Sequence, residues 1–230
     1  MPCTHKFYRH PFHKNGEYGL FPNWKYKTLI IGTFNPEDTW MATNSALYFY
    51  GRPRNYFWKV LPCFTVANPN PDPAINRLNI NAQRDFLISN RIGVTDLLIR
   101  IVDADITRTD HRQWINSFKD ADLQRFTIFE WNTERIIEQV QEEQVTHVYF
   151  TRLGTPNANV AINSFEHQMR IIEKYCNTNN IINERLYTPS AQGLPGVPRK
   201  NALVNAWFYG MGIKMFPFIH PTFNILNFPI

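Results

Sequence analysis

The 230-residue sequence contains only three cysteines, Cys3, Cys63 and Cys176, which lie far apart and form no Cys-x-x-Cys pair. This pattern argues against a disulfide framework, a zinc ribbon or a four-cysteine iron–sulfur cluster, and it favours a reducing compartment. No apolar run approaches the roughly 18 residues of a membrane span, and the first residues contain no apolar signal region. We therefore expect a cytoplasmic protein with no membrane partner.

The sequence also lacks a glycine-rich phosphate loop and a nucleophile elbow. Their absence argues against a nucleotide-binding protein or an α/β hydrolase. Near the N-terminus, Cys3, His5, His10 and His13 could be metal ligands, but their spacing matches no ligand pattern. We therefore predict no metal site and no cofactor.

Charge is distributed unevenly along the chain. Residues 1–60, 61–150 and 151–230 have net charges of +5, −4 and +4. If the two ends meet in space they form a basic face, which is typical of a protein that binds a polyanion. Charge alone also fits a slightly basic surface with no specific partner.

Apolar runs alternate with helical patterns along the chain. The patterns predict strands at 28–34, 91–99, 145–151 and 181–187, and helices at 55–64, 82–90, 132–143, 160–176 and 201–211. This alternation predicts an α/β fold, a three-layer α/β/α sandwich with a central, mostly parallel sheet. We expect one domain over residues 1–230 and a monomer, with residues 1–26 forming a surface arm.

Two loops are expected at the carboxyl edge of this sheet, where ligands bind in open α/β folds. The first carries Asn35-Pro36 and the aromatic, arginine-containing stretch from Tyr48 to Trp58, and the second covers residues 188–200. Aromatic rings stack on bases and guanidinium groups hold phosphates, so the first loop suits a nucleic acid. Its arginines could instead form surface ion pairs.

Carboxylates near these loops have alternative interpretations. Asp96 interrupts an apolar run, which is costly for a carboxylate unless it is hydrogen-bonded. It is either a structural cap or, like Asp38, a possible catalytic base. His147 is predicted to be an ordinary packed histidine within its strand.

Taken together, the motifs resemble those of the uracil-DNA glycosylase superfamily. Within that superfamily, they resemble the branch that includes hypoxanthine-DNA glycosylases and the mismatch-specific enzymes. The resemblance rests, in chain order, on His10-Pro-Phe, Leu29-Ile-Ile-Gly-Thr-Phe-Asn-Pro36, Tyr50-Gly-Arg-Pro-Arg-Asn-Tyr-Phe-Trp58, Ile92-Gly-Val-Thr-Asp96 and Thr188-Pro-Ser190. It implies the same α/β/α sandwich and the hydrolysis of the N-glycosidic bond of a deaminated base, such as uracil or hypoxanthine, flipped out of DNA. No lysine lies in these motifs, so the enzyme would be monofunctional, without strand cleavage.

The resemblance also implies roles for individual residues. Asn35 would position or activate the attacking water, and Asn55 would contribute to catalysis or to the pocket. An amide cannot deprotonate water as a carboxylate would, so such a mechanism depends on positioning and electrostatics. The expected substrate-binding residues are Gly32, Thr33, Phe34, Pro36, Tyr48, Phe49, Tyr50 and Phe57. Among them, Phe34 and one of Tyr48, Phe49 or Tyr50 would form the walls of the pocket and stack on the base. The expected DNA-binding residues are Arg52, Arg54, Thr188, Pro189, Ser190, Gln192, Leu194, Arg199 and Lys200, with Leu194 as the apolar candidate for insertion into the base stack.

Two other interpretations remain open. The chain could be a catalytically silent relative that binds nucleic acid or a nucleobase through the same pocket. It could also be an unrelated α/β hydrolase or nucleotide-binding protein that matches the motifs by chance.

Overall fold

The computed structural model describes residues 1–14, 19–41, 45–67, 69–154 and 160–230. Over these residues the chain is a mixed α/β protein with seven strands and seven α-helices. The strands are β1 (Cys3–Thr4), β2 (Thr28–Gly32), β3 (Ile92–Asp96), β4 (Leu98–Ile101), β5 (Phe129–Trp131), β6 (His147–Phe150) and β7 (Ile182–Arg185). The helices are α1 (Phe57–Val60), α2 (Ile80–Ser89), α3 (Thr109–Asn116), α4 (Asp120–Leu123), α5 (Thr133–Glu142), α6 (Phe165–Thr178) and α7 (Arg199–Met211).

Four strands form a parallel sheet in the order β3-β2-β6-β7. In the register of this sheet Gly32 lies opposite Asp96, and Ile31 lies opposite Phe150. Strands β1, β4 and β5 form a separate antiparallel sheet in the order β1-β4-β5. Because β2, β3 and β6 are parallel, their carboxyl ends meet at one edge of the larger sheet.

The central strand β2 is buried along its whole length. Its side chains alternate between two hydrophobic clusters, with Ile30 in one and Leu29 and Ile31 in the other. The first cluster includes apolar side chains of α1, α2 and α7, and the second includes those of α5 and α6. Both faces of the sheet are therefore covered, and the residues that follow the strands are left to form a site.

The N-terminal segment differs from the expected surface arm. Phe7 and Leu20 belong to the first cluster, while Cys3, Phe21 and Tyr26 belong to the second, and each is at most 1% exposed. Strand β1 also pairs with β4. Burial of large apolar side chains stabilises this segment by roughly 1.5–3 kcal/mol for each side chain, so the segment forms part of the core.

Several predicted boundaries also differ from the structure. The helix expected to start at residue 160 is α6, which begins at Phe165 because the Ser164 side chain accepts a hydrogen bond from the His167 backbone N–H at its N-terminus. Ile162, which the expected helix included, precedes α6 and is 79% exposed. The strand expected at 91–99 is divided at Leu97 between the two sheets, a change of partner that an apolar run does not reveal.

The helix expected at 55–64 is only one turn of α-helix, α1, followed by the 3₁₀ segment Leu61–Thr65. Pro62 lies in that segment and has no backbone N–H to continue an α-helix. The charged segment 102–125 contains α3 and α4. No helix in the described parts of the chain is both long and apolar enough to cross a membrane.

Candidate functional site

A cleft of about 800 Å³ opens at the carboxyl edge of β2, β3 and β6. Its lining comes from residues 32–35 and 151–153, which end or follow strands, and from the segments 50–55, 117–121 and 187–192. Its volume lies within the range of roughly 300–1,000 Å³ that is usual for small-ligand sites. The cleft therefore brings together segments that are widely separated in the sequence.

The floor of the cleft is Asp96, which is only 1% exposed. Its Oδ2 accepts hydrogen bonds from His5 Nε2 and from Asn35 Nδ2, each at 2.8 Å. His5 Nδ1 accepts the backbone N–H of Phe7 at 3.1 Å, so the histidine proton lies on Nε2 and is donated to Asp96. Residues 5, 35 and 96 thus form one hydrogen-bonded group.

Gly32 allows this group to fit beneath the cleft. A Cβ atom at position 32 would lie 2.2 Å from Asp96 Oδ1 and 2.9 Å from the hydroxyl oxygen of Tyr50. Both distances are shorter than van der Waals contact. Any side chain at this position would displace the carboxylate, the tyrosine or β2 itself.

Tyr50 is the aromatic residue of the first loop that reaches the cleft. Its ring stacks on Phe57 with centroids 3.9 Å apart, and its hydroxyl lies 3.2 Å from Thr151 Oγ1. Burial, together with the negative charge of Asp96, raises the pKa of the Tyr50 hydroxyl well above its usual value. Tyr50 therefore presents a neutral hydroxyl group close to the floor.

Arg52 lies across the cleft against Phe118, with its guanidinium carbon 3.6 Å from the ring centroid. Its Nε has no hydrogen-bond partner among the described residues. Burial lowers the pKa of Arg52 to about 10, and the charge of Asp96 opposes that effect, so the side chain is cationic at neutral pH. The stacked guanidinium can donate to an anion or a carbonyl oxygen in the cleft.

A second carboxylate, Asp120, forms an ion pair with Arg152 in the cleft wall. Burial raises the pKa of Asp120, while Arg152 and a hydrogen bond from the Thr33 side chain oppose that effect. Arg54 and Lys119 add two more cations to the lining. The described lining therefore contains more basic than acidic side chains, an arrangement suited to an anionic ligand.

The two predicted loops contact each other. The backbone N–H of Tyr56 donates to the carbonyl oxygen of Pro189 at 2.8 Å. Asn55 Oδ1 accepts the backbone N–H of Phe57 at 2.9 Å, which fixes the orientation of its side chain. On either side of Pro189, the hydroxyl groups of Thr188 and Ser190 lie 3.3 Å apart in the cleft lining. The residues expected to grip DNA thus adjoin the residues expected to bind the base.

No protein-family model matches this sequence, and no curated protein is significantly similar to it.

Of the residues expected to be catalytic, to bind the substrate or to bind DNA, twelve line the cleft. They are Gly32, Thr33, Phe34, Asn35, Tyr50, Arg52, Arg54, Asn55, Thr188, Pro189, Ser190 and Gln192. Both expected catalytic asparagines are among them.

Three aromatic residues predicted as substrate contacts lie in the core instead. Tyr48, Phe49 and Phe57 are fully buried, and none of them lines the cleft. The Tyr48 hydroxyl forms a hydrogen bond with His13 Nε2 at 3.1 Å, because the N-terminal segment packs against this loop. Pro36 is also buried, in a β-bridge with His5.

Three residues predicted to bind DNA lie outside the cleft lining. Leu194 is partly buried against the first hydrophobic cluster, and Arg199 donates to its carbonyl oxygen. Lys200 Nζ donates to the carbonyl oxygen of Pro69 at 2.6 Å. The exposed apolar side chain of this loop is Val197, which is 76% exposed.

Some residues of the site were not found from the sequence. His5 showed no pattern beyond a histidine near the N-terminus, and segment 117–121 lies in a charged region without clear periodicity. Two carboxylates were considered as bases. Asp96 forms the floor of the cleft, whereas Asp38 lies outside the cleft lining, with its side chain 63% exposed and hydrogen-bonded to Lys6. The interruption of an apolar run was the useful signal for Asp96.

Proposed function

We propose that the chain is a monofunctional DNA glycosylase that hydrolyses the N-glycosidic bond of a deaminated base, uracil or hypoxanthine, flipped out of DNA. In this proposal the fold is the three-layer α/β/α sandwich of the uracil-DNA glycosylase superfamily, and the protein acts as a cytoplasmic monomer. The observation that supports it is the meeting of Asn35, Asn55, Arg52 and the 188–190 loop around one cleft. These are the motifs on which the resemblance rests.

The charges of the cleft suit this chemistry. When the N-glycosidic bond breaks, its electron pair leaves with the base nitrogen and positive charge develops on the sugar. The Arg52 guanidinium supplies donors for an oxygen of the leaving base, which carries that electron pair. Asn35 orients a water whose oxygen bonds to C1′, and the proton lost by that water ends on the released base.

The rim of the cleft suits the DNA strand. Extruding a base costs a few kcal/mol, and the cost is lowest for a damaged or mismatched base. Arg54 and Lys119 are exposed side chains of the lining that can hold phosphates beside the extruded nucleotide. The hydroxyl groups of Thr188 and Ser190 are further donors to the backbone.

A base-release assay tests the proposal. Labelled oligonucleotides containing uracil, hypoxanthine, xanthine or a mismatched thymine are incubated with the protein, and alkali then opens any abasic site. We compare the wild type with Asn35→Ala and Asn55→Ala, and use Asn81→Ala, an exposed change on α2, as the control. We expect the control to match the wild type and at least one cleft variant to lose about 10²- to 10³-fold in rate.

Absence of release from every substrate at enzyme excess would reject the glycosylase. If DNA binding then remained salt-sensitive, the second interpretation, a silent relative that binds without cutting, would be supported instead.

A further inference from the structure

We infer that Asp96 and His5 are positioning residues that hold the carboxamide of Asn35 with its oxygen directed away from the floor, as the hydrogen-bond acceptor for the attacking water. The reaction itself rests on the proposed function. The orientation of the amide rests only on the hydrogen bonds at the floor.

The nitrogen end of the Asn35 amide faces Asp96. A carboxylate oxygen only accepts hydrogen bonds, so the atom of Asn35 at 2.8 Å from Asp96 Oδ2 must be the donor Nδ2. In the flipped amide two oxygens would face each other at this distance. Asp96 therefore determines the orientation of the amide, and Asn35 Oδ1 is left as an acceptor on the other side.

The three residues of the floor differ in their exposure to solvent. Asp96 and His5 are 1% and 2% exposed, whereas Asn35 is partly exposed in the cleft lining. A water molecule that approaches the sugar therefore meets Asn35 before it meets the carboxylate. Asp96 acts through Asn35, while Asn35 is the catalytic residue.

The hydrogen bond to Asp96 also changes the charge on the amide oxygen of Asn35. A hydrogen bond to a charged acceptor is stronger than one between neutral groups, and linked hydrogen bonds polarise one another. Donation from Asn35 Nδ2 to the carboxylate increases the negative charge on Asn35 Oδ1. This makes the amide a better acceptor for the proton of water than an isolated asparagine would be.

His5 holds the carboxylate of Asp96 in place. The imidazole donates from Nε2 to Asp96 and is held at Nδ1 by the backbone of Phe7. Its ring also packs against the rings of Phe7, Phe34 and Phe49, with centroids 5.5–5.6 Å apart. A buried carboxylate that loses a donor is destabilised or moves, and the amide bonded to it moves with it.

A kinetic experiment tests whether Asp96 acts through Asn35. We expect Asp96→Asn, which keeps the shape but removes the charge, to lower kcat about 10- to 100-fold with little change in KM, because misplacement of a catalytic group can cost about 10²-fold in rate. In an Asn35→Ala background the same change should alter kcat by no more than about twofold. If Asp96→Asn has its full effect in both backgrounds, Asp96 acts independently and the inference is wrong.

Two variants of His5 form a matched pair. His5→Phe keeps the ring packing but removes the Nε2 donor, and His5→Gln places an amide donor near the position of Nε2. We expect His5→Phe to resemble Asp96→Asn in kcat and His5→Gln to recover much of the lost rate, with folding of each variant checked by thermal unfolding. Equal activity of folded His5→Phe and wild type would overturn the role of His5.

Nuclear magnetic resonance provides a readout that does not require activity. The side-chain amide signals of Asn35, assigned by their loss in Asn35→Ala, should shift in Asp96→Asn and in His5→Phe, and shift less in His5→Gln. Unchanged signals in Asp96→Asn would refute the inference even in an active enzyme. Shifted signals in a protein without base release would support the positioning group while rejecting the glycosylase.

Discussion

Replacement of Gly32 by alanine should separate the function of the cleft from the stability of the sheet. The new Cβ would lie 2.2 Å from Asp96 Oδ1, so the carboxylate or strand β2 must move by about 1 Å to restore normal contact. Because Asn35 is hydrogen-bonded to this carboxylate, a displacement of this size misplaces the catalytic amide and costs about 10²-fold in rate. The same overpacking should destabilise the fold by roughly 1–3 kcal/mol.

Gly93→Ala is the matched control for this change. Gly93 lies in β3, opposite Leu29, and a Cβ there would lie 2.8 Å from the ring of Tyr26, away from the cleft. Both alanine variants should lower Tm, by about 2–4 °C for each kcal/mol lost. Base release, measured well below either Tm, should decrease strongly only in Gly32→Ala. Equal rates in the two variants would show that the position of Asp96 does not govern the chemistry.

Three further predictions concern other parts of the chain. Burial lowers the pKa of His13 from 6.5 to about 3, so the unfolded chain takes up a proton below pH 6.5 that the folded protein does not. Stability to urea should therefore decrease by about 1 kcal/mol between roughly pH 6 and pH 5, and a folded His13→Asn variant that keeps the wild-type slope would contradict this. Arg54→Gln should reduce the slope of the logarithm of the DNA-binding constant against the logarithm of the salt concentration by about one unit. Arg91→Gln, at the opposite edge of the sheet, should leave that slope unchanged. Ser164→Ala removes the N-terminal cap of α6 and should lower the free energy of unfolding by about 1 kcal/mol, and an unchanged denaturation midpoint would argue against the cap.

The strands of the parallel sheet were the most predictable part of the fold. Apolar, β-branched runs such as β2 occur where both faces of a strand are covered, and β2 is buried at every position. The position of Asn35 at the edge of the sheet follows directly from the end of that strand. Local pattern was sufficient for these features because they depend on a single segment.

Features that depend on distant segments were less predictable. Residues 48–50 are all aromatic, so their chemical character does not separate core residues from cleft residues. Packing against the N-terminal segment buries Tyr48 and Phe49 and leaves Tyr50 in the cleft. His5 acquires a role because β1 pairs with β4, which places residue 5 beside Asp96. Neither result follows from local spacing, since each is set by tertiary contacts.

The wide sequence separation of the cleft residues has a consequence for the order of folding. His5, Asn35 and Asp96 come from the first half of the chain, but the wall formed by residues 187–192 follows β7, the last strand of the parallel sheet. During synthesis every member of the floor is added before that wall, because residues 187–192 follow all of them in the chain. The floor can thus assemble before the cleft exists as an enclosed site, and binding must await the docking of β7 and the loop after it.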